Sequence, residues 1–117
     1  MLSKPYRLKK KEVEMIFREG SGIKEDFLIL KILKNKLTGI KFSVIVSLKV
    51  SKKTTVRNKI KRRISELLGV KIKNIKRGTR GIILAAPGIE GKDFWEIDEA
   101  LNRLLERAKL LEVKKNV

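Results

Sequence analysis

The segment SKKTTVRNKIKRRISELLG, residues 51–69, restricts the fold more than any other part of this chain. Val56, Ile60, Ile64, Leu67 and Leu68 recur at the spacing of an amphipathic helix. Between them stand Arg57, Lys59, Lys61, Arg62 and Arg63. A helix sorts the two kinds of residue. At about 100° per residue, Ile60 and Ile64 turn inward, while Asn58, Lys61, Arg62 and Ser65 fall on the outer side. Arg57 lies on one flank near Lys61; Lys59 and Arg63 lie on the other. Thr54 or Thr55 is the expected N-cap and Gly69 the expected stop. Lys52 and Lys53 extend the basic face into the preceding loop. Such a helix must bury its stripe against other elements and leave a dense positive surface outside.

The whole chain shares this bias. Its 117 residues suit one domain, with 30 Lys+Arg against 13 Asp+Glu and a net charge of +17. Self-repulsion of that size works against a compact fold, so a polyanionic partner is expected, nucleic acid before an acidic membrane. Cys and His are both absent, which removes disulfides, thiolate zinc sites and Cys- or His-based nucleophile pairs. The lack of Cys fits a reducing cytosol, and a cytoplasmic location is expected. No apolar run is long enough to span a bilayer, and the start, MLSKPYRLKKKEVEMIF, is not a secretory signal.

Other elements follow from periodicity. KKKEVEMIFREG reads as a short helix with Val13, Ile16 and Phe17 on one side and Gly20 as its stop. DFLILKILKN reads as a strand, and GIKFSVIVSLKV alternates as the clearest strand in the chain. The two are expected to pair as an antiparallel hairpin through KNKLTG. KIKNIKRGTR is a basic connection, and GIILAAPG a short buried strand closed by Pro87 and Gly88. Asp93 caps a last helix, FWEIDEALNRLLERAKLLEV, and the tail KKNV is expected to fray. Phe94 and Trp95 are assigned to packing of that helix. The order is α-β-β-α-β-α, a single α+β domain over residues 1–117 with one sheet and helices packed on it. A parallel connection through the basic helix has a right-handed general expectation.

The chemistry points the same way. A basic helix face neutralises phosphates, and Arg adds bidentate contacts that Lys cannot copy. Asn58 offers a neutral donor and acceptor to a sugar, a base edge or a metal-bound water. The plain alternative, a solvated charged face, is the weaker reading at this charge density. Asp93, Glu96, Asp98 and Glu99 cluster where they complement a helix dipole, so they are read as structural rather than as a metal-dependent active site. No catalytic residue and no direct metal ligand is expected in the protein. A membrane-surface helix is disfavoured because the basic helix turns its apolar stripe to the core and lacks the Trp/Phe-rich exposed face such a helix needs.

VRNKIKRRI preceded by VSKK resembles the signature of the bacterial ribonuclease P protein subunit family. YRLKKKEVEMIFREG, GIILAAP and DFWEIDEALNRLLER are similar to that family's first helix, third strand and last helix, so the likeness runs nearly the whole chain. Arg57, Asn58, Lys61 and Arg62 match its motif; Lys59 and Ser65 stand where Arg is usual or common, and only TTV separates Lys53 from Arg57. The resemblance implies a left-handed crossover between parallel strands. It also implies a protein that binds a catalytic RNA subunit and the 5′ leader of precursor tRNA, aiding endonucleolytic removal of the leader while Mg²⁺ is held mainly by the RNA. The RNA-binding set would be Lys52, Lys53, Arg57, Asn58, Lys59, Lys61 and Arg62. A leader-binding cleft would draw on Val13, Phe17, Phe27, Leu28, Leu30 and Phe42. The protein would be monomeric within the ribonucleoprotein. The alternative is a structural RNA-binding protein such as a ribosomal protein.

Overall fold

The computed structural model describes residues 7–34 and 39–110. In chain order the elements are α1 (Lys10–Glu19), β1 (Ser21–Glu25), β2 (Leu28–Lys34), β3 (Ile40–Val46), α2 (Thr54–Lys71), β4 (Thr79–Ala85) and α3 (Phe94–Arg107). The strands form one sheet in the order β1-β2-β4-β3. This is an α+β domain with the expected three helices and one strand more than expected. SGIKE, now β1, carries a single apolar residue and lies at the sheet edge, so alternation gave no sign of it.

The expected hairpin pairing of the first two predicted strands, now β2 and β3, is overturned. β2 pairs antiparallel with β1 and β4, and β3 pairs parallel with β4. β4 separates them because it is apolar on both sides: Ile82 and Ile83 are both fully buried. The turn at Asp26–Phe27, with Asp26 left-handed at φ 50°, supplies β2 with a nearer partner in β1. Residues 35–38 of the KNKLTG connection lie outside the described residues, as does the KKNV tail. β3 and β4 are parallel neighbours joined through α2, so the strand–helix–strand unit is present.

Helices cover both faces of the sheet. Leu28, Leu30, Phe42, Val44 and Ile83 form one core with Ile60, Ile64 and Leu68 of α2 and Ile97, Leu101 and Leu104 of α3. Burying each such side chain contributes about 1.5–3 kcal/mol. α1 lies on the opposite face, over β2 and β4. Its anchor is Glu12, which receives Arg80 Nε at 3.3 Å and has Lys41 Nζ at 3.9 Å. Arg80 also donates through Nη1 to the Gly39 carbonyl at 3.3 Å. Lys71 pairs with Asp98 to join α2 to α3, while Arg103 and Arg107 clamp Glu25 at 3.0 and 2.7 Å.

Helix ends depart from expectation in instructive ways. α2 runs through Gly69 to Lys71, and a short 3-10 turn, Ile72–Asn74, follows; burying Ile72 and Ile75 draws the chain on past the glycine. α3 stops at Arg107 because Lys109 turns left-handed at φ 57°. Leu110 N–H then donates to Leu105 O at 3.0 Å and Lys109 N–H to Glu106 O at 2.9 Å, a Schellman closure with both leucines buried. Phe94 and Trp95 do not pack into the core. They meet edge-to-face at 5.3 Å, and both are exposed.

Two stability measurements check this arrangement. A Cβ on Gly81 would sit 2.5 Å from the Phe42 ring, so Gly81→Ala is expected to lower stability by about 1–3 kcal/mol in urea unfolding. Glu25 is held below its ordinary value of 4.5, first by the Arg107 hydrogen bond and then by that of Arg103. A depressed carboxylate stabilises above its unfolded value and loses that contribution as pH falls through the folded one. The stability gap between wild type and Glu25→Gln should therefore be full near neutrality and shrink as pH drops below about 4.5.

Candidate nucleic-acid interface

The N-cap of α2 is Lys53 rather than either threonine, and the helix itself begins at Thr54. Two local bonds shape its entry. Ser51 Oγ accepts the Lys53 N–H at 3.2 Å. Arg57 reaches back, donating through Nη1 to the Ser51 carbonyl at 2.9 Å and through Nη2 to Thr54 Oγ1 at 3.2 Å. The short TTV lead-in thus forms the first turn of the helix, and the guanidinium of Arg57 braces it against the loop. Arg57 is half-buried in this role and keeps its charge beside the outer face.

Lys52, Lys53, Asn58, Lys59, Lys61 and Arg62 are exposed, and Arg63 is half-buried. Among the described residues none of the cations from Lys52 to Arg63 pairs with a carboxylate; the ion pairs lie elsewhere, on Lys41, Lys71, Arg80, Lys92, Arg103 and Arg107. The reason is in the chain: between Asp26 and Glu90 the sole acid is Glu66. Ser65, expected on the outer side, is buried at 4% exposure. It sits at the edge of the inward stripe, where α2 meets the outer side of β3, and a short side chain fits there.

The candidate cleft residues divide between two faces. Val13 is half-buried and Phe17 is 43% exposed, both on α1. Phe27, Leu28, Leu30 and Phe42 are buried in the core beneath α2 and α3, on the far side of the sheet. Strand parity decides this, and an isolated strand does not announce which parity meets which helix. The residues that share the α1 face are the alternate ones: Ile29 and Lys31 of β2, Ser43 and Ile45 of β3, and Leu84 of β4. All are half-buried, and Lys31 Nζ lies 5.3 Å from the centroid of the Phe17 ring. The α1 face of the sheet therefore presents a half-buried, aliphatic and partly basic strip, with the exposed Phe17 ring beside Lys31. Once α1 is placed on one face by Glu12 and Arg80, this strip follows from period-two alternation.

The acids at the start of α3 are already engaged. Glu96 N–H donates to Asp93 Oδ1 at 2.8 Å and Asp93 N–H to Glu96 Oε1 at 3.3 Å, the expected cap. Asp98 holds Lys71, and Glu99 lies 3.9 Å from Arg103. Among the described residues no group of three or more His, Cys, Asp or Glu is placed to hold a metal ion, and no helix is long and apolar enough to cross a membrane.

A basic helix without carboxylate partners on one side of the sheet, and a half-buried, partly basic strip on the other, fit a polyanionic partner. The profile of the Ribonuclease P family matches residues 2–109. The chain belongs to the ribonuclease P protein family. It is 36% identical over 101 residues to the ribonuclease P protein component of Clostridium botulinum strain 657, covering 86% of this chain and 90% of that one. With the Clostridium perfringens strain 13 component it shares 32% identity over 116 residues, covering 93% and 92%. Its fold is similar to the Staphylococcus aureus RNase P protein, with a TM-score of 0.83 at 25% identity, covering 93% of this chain and all, 100%, of that one. The Thermotoga maritima RNase P protein, solved with 1-(4-fluorophenyl)-2-thiourea, superposes with a TM-score of 0.78 at 27% identity, covering 86% and 98%. Family membership makes the chain a protein component of an endoribonuclease ribonucleoprotein of tRNA 5′ processing, and so implies an RNA partner.

Phe17 and Ile16 should part company on mutation. Phe17→Ala is expected to cost under about 1 kcal/mol in urea unfolding, since the ring stands largely in solvent, whereas Ile16→Ala, fully buried, should cost about 2–5 kcal/mol.

Proposed function

We propose that the chain over 1–117 acts as one RNA-binding domain, monomeric within a cytoplasmic ribonucleoprotein. The outer face of α2 engages the catalytic RNA subunit, and the groove beside α1 holds the 5′ leader of precursor tRNA. The observation that carries this reading is the uncompensated cation set Lys52, Lys53, Lys59, Lys61 and Arg62 on one rigid helix entry, with Asn58 among them. Each cation placed on a phosphate releases a counterion, so affinity falls steeply with salt. Arg57 contributes charge from its braced position and fixes the angle at which Lys52 and Lys53 are offered.

The groove supports a different kind of contact. Phe17 offers a ring face, Lys31 a charge, and Ile29, Ile45 and Leu84 an aliphatic bed. A single strand needs a cationic track and surfaces for its bases. With one exposed ring on α1, van der Waals contact with the bed carries more of the binding than stacking does. That would favour a leader-bearing precursor over mature tRNA without reading sequence.

The protein's part in the reaction is positioning and charge screening. Its carboxylates serve as helix cap and inter-element ties, and its side chains include no His to move a proton. Mg²⁺ is held mainly by phosphates of the RNA subunit, with Asn58 able to meet a metal-bound water. Cations on α2 lower the repulsion between closely packed phosphates, which favours both substrate binding and ion binding.

Reconstitution tests this. Added to a bacterial ribonuclease P RNA at low Mg²⁺, the protein should stimulate leader removal from precursor tRNA; no stimulation overturns the reading. Arg62→Ala should weaken RNA-subunit binding and reduce the slope of log affinity against log salt by about 0.7–0.9. An unchanged slope would remove α2 from the interface.

A further inference from the structure

α1 has ten residues, and Ile16 is the one among them that is fully buried. A helix that short is marginal by itself, so its seat on the sheet decides how it lies. The sheet offers that seat in rows. On the α1 face, Leu33, Arg80 and Lys41 stand side by side on β2, β4 and β3. Lys31, Ile82 and Ser43 form the next row, and Ile29, Leu84 and Ile45 the one after it. Ile16 of α1 and Ile82 of the second row are both fully buried, outside the core beneath α2 and α3. They are the apolar half of the seat. The third row is only half-buried.

The polar half is Glu12. Its Oε2 accepts Arg80 Nε–H at 3.3 Å, its Oε1 accepts the Lys9 N–H at 3.0 Å, and Lys41 Nζ stands 3.9 Å from Oε1. One carboxylate thus closes the first turn of α1 and holds that turn to two strands. Burial by itself would raise the Glu12 carboxyl, but the Lys9 N–H and the charges of Lys41 and Arg80 outweigh it and hold it below its ordinary value of 4.5. Arg80 is 5% exposed and is itself fixed. Its Nη1 donates to the Gly39 carbonyl at 3.3 Å, which also accepts the Gly78 N–H at 2.7 Å. Glu12 and Ile16 are one helical turn apart, so the polar and apolar contacts together set the rotation of α1 about its axis. Phe17 follows Ile16 by about 100° and is turned to the flank, with Lys31 Nζ 5.3 Å from its ring centroid.

We propose that Glu12 and Arg80 are positioning residues for precursor tRNA: by setting the rotation of α1 they hold the Phe17 ring beside Lys31, where the leader is bound. The inference rests on the α1 face being the leader-binding surface. Both residues act through Phe17 rather than by touching the leader. The lever is long. With side chains a helix has a radius of about 5–6 Å, so a turn of about 30° carries the ring roughly 3 Å. That is enough to break a cation–ring contact whose reach is about 6 Å.

The experiment has one arm on the free protein and one on the holoenzyme. In the free protein, the Phe17 ring current should displace the NMR signals of the Lys31 ε-methylene, and Phe17→Ala should abolish the displacement. Glu12→Gln keeps the shape of the side chain and removes its charge. It should collapse most of that displacement while the amide signals of α2 and α3 stay in place. A displacement absent from wild type, or unchanged in Glu12→Gln, overturns the inference. Affinities for precursor and mature tRNA are then measured with the holoenzyme formed on a bacterial ribonuclease P RNA. Phe17→Ala and Glu12→Gln should each lower the precursor-to-mature ratio about fivefold, and the double variant should fall no further. Affinity for the RNA subunit should stay as in wild type. Additive losses would make Glu12 merely structural and overturn the inference, as would a wild-type ratio for Glu12→Gln where Phe17→Ala lowers it. If Phe17→Ala itself leaves the ratio unchanged, the leader reading of the α1 face fails and the inference falls with it. Should Glu12→Gln not fold, Arg80→Lys, which keeps the charge and shortens the reach to Glu12, is judged by the same outcomes.

Discussion

Like-charge repulsion is the constraint around which this protein is arranged. Thirty Lys+Arg share one small surface with 13 Asp+Glu, and four of the carboxylates, Glu12, Glu25, Asp26 and Asp98, join separate elements. Glu12 ties α1 to the sheet through Arg80, Asp98 ties α3 to α2 through Lys71, and Glu25 ties the β1–β2 hairpin to α3 through Arg103 and Arg107. Exposed ion pairs of this kind contribute modestly one by one. Their effect here is one of distribution. Acids concentrated at the joints leave the entry of α2 without any, so a field of one sign survives on that face.

The strand order then sets where that face points. β4, apolar on both sides, takes the centre, and β3 must lie outside it as an edge strand. α2 connects the two, so it packs on one face with Ile60 and Ile64 inward and its cations outward. α1, held by Arg80 on the opposite face, leaves the strip of Ile29, Lys31 and Leu84 only partly covered. One topological choice therefore yields a basic helix face on one side of the sheet and a half-buried aliphatic strip on the other.

The elements legible in the sequence were those with a strong period: α1, α2, α3, β3 and the apolar β4. The basic face of α2 was readable as well, because cations and the apolar stripe separate cleanly at helical spacing. What escaped was decided between elements. β1 has one apolar residue and is held by β2, so no local pattern marks it. The β2–β3 pairing failed because nearness in sequence yielded to the stronger burial of β4. Ser65 looked exposed by angle, yet α2 approaches the edge of β3 closely enough to cover it. The groove floor was assigned to the wrong parity, Leu28 and Leu30 rather than Ile29 and Lys31, since alternation identifies two faces and only the tertiary fold names them. Lys109 ended α3 in a conformation usually left to glycine, which no sequence rule would have placed there.

Lysine-reactivity footprinting of the protein alone and bound to ribonuclease P RNA tests the central claim most directly. Lys52, Lys53, Lys59 and Lys61 are exposed on the α2 side, and Lys73, Lys76 and Lys109 are exposed elsewhere, so each acts as a separate reporter. The account predicts that RNA protects the α2 lysines strongly and leaves Lys73, Lys76 and Lys109 reactive. Protection of the second group with the α2 lysines unchanged would contradict it.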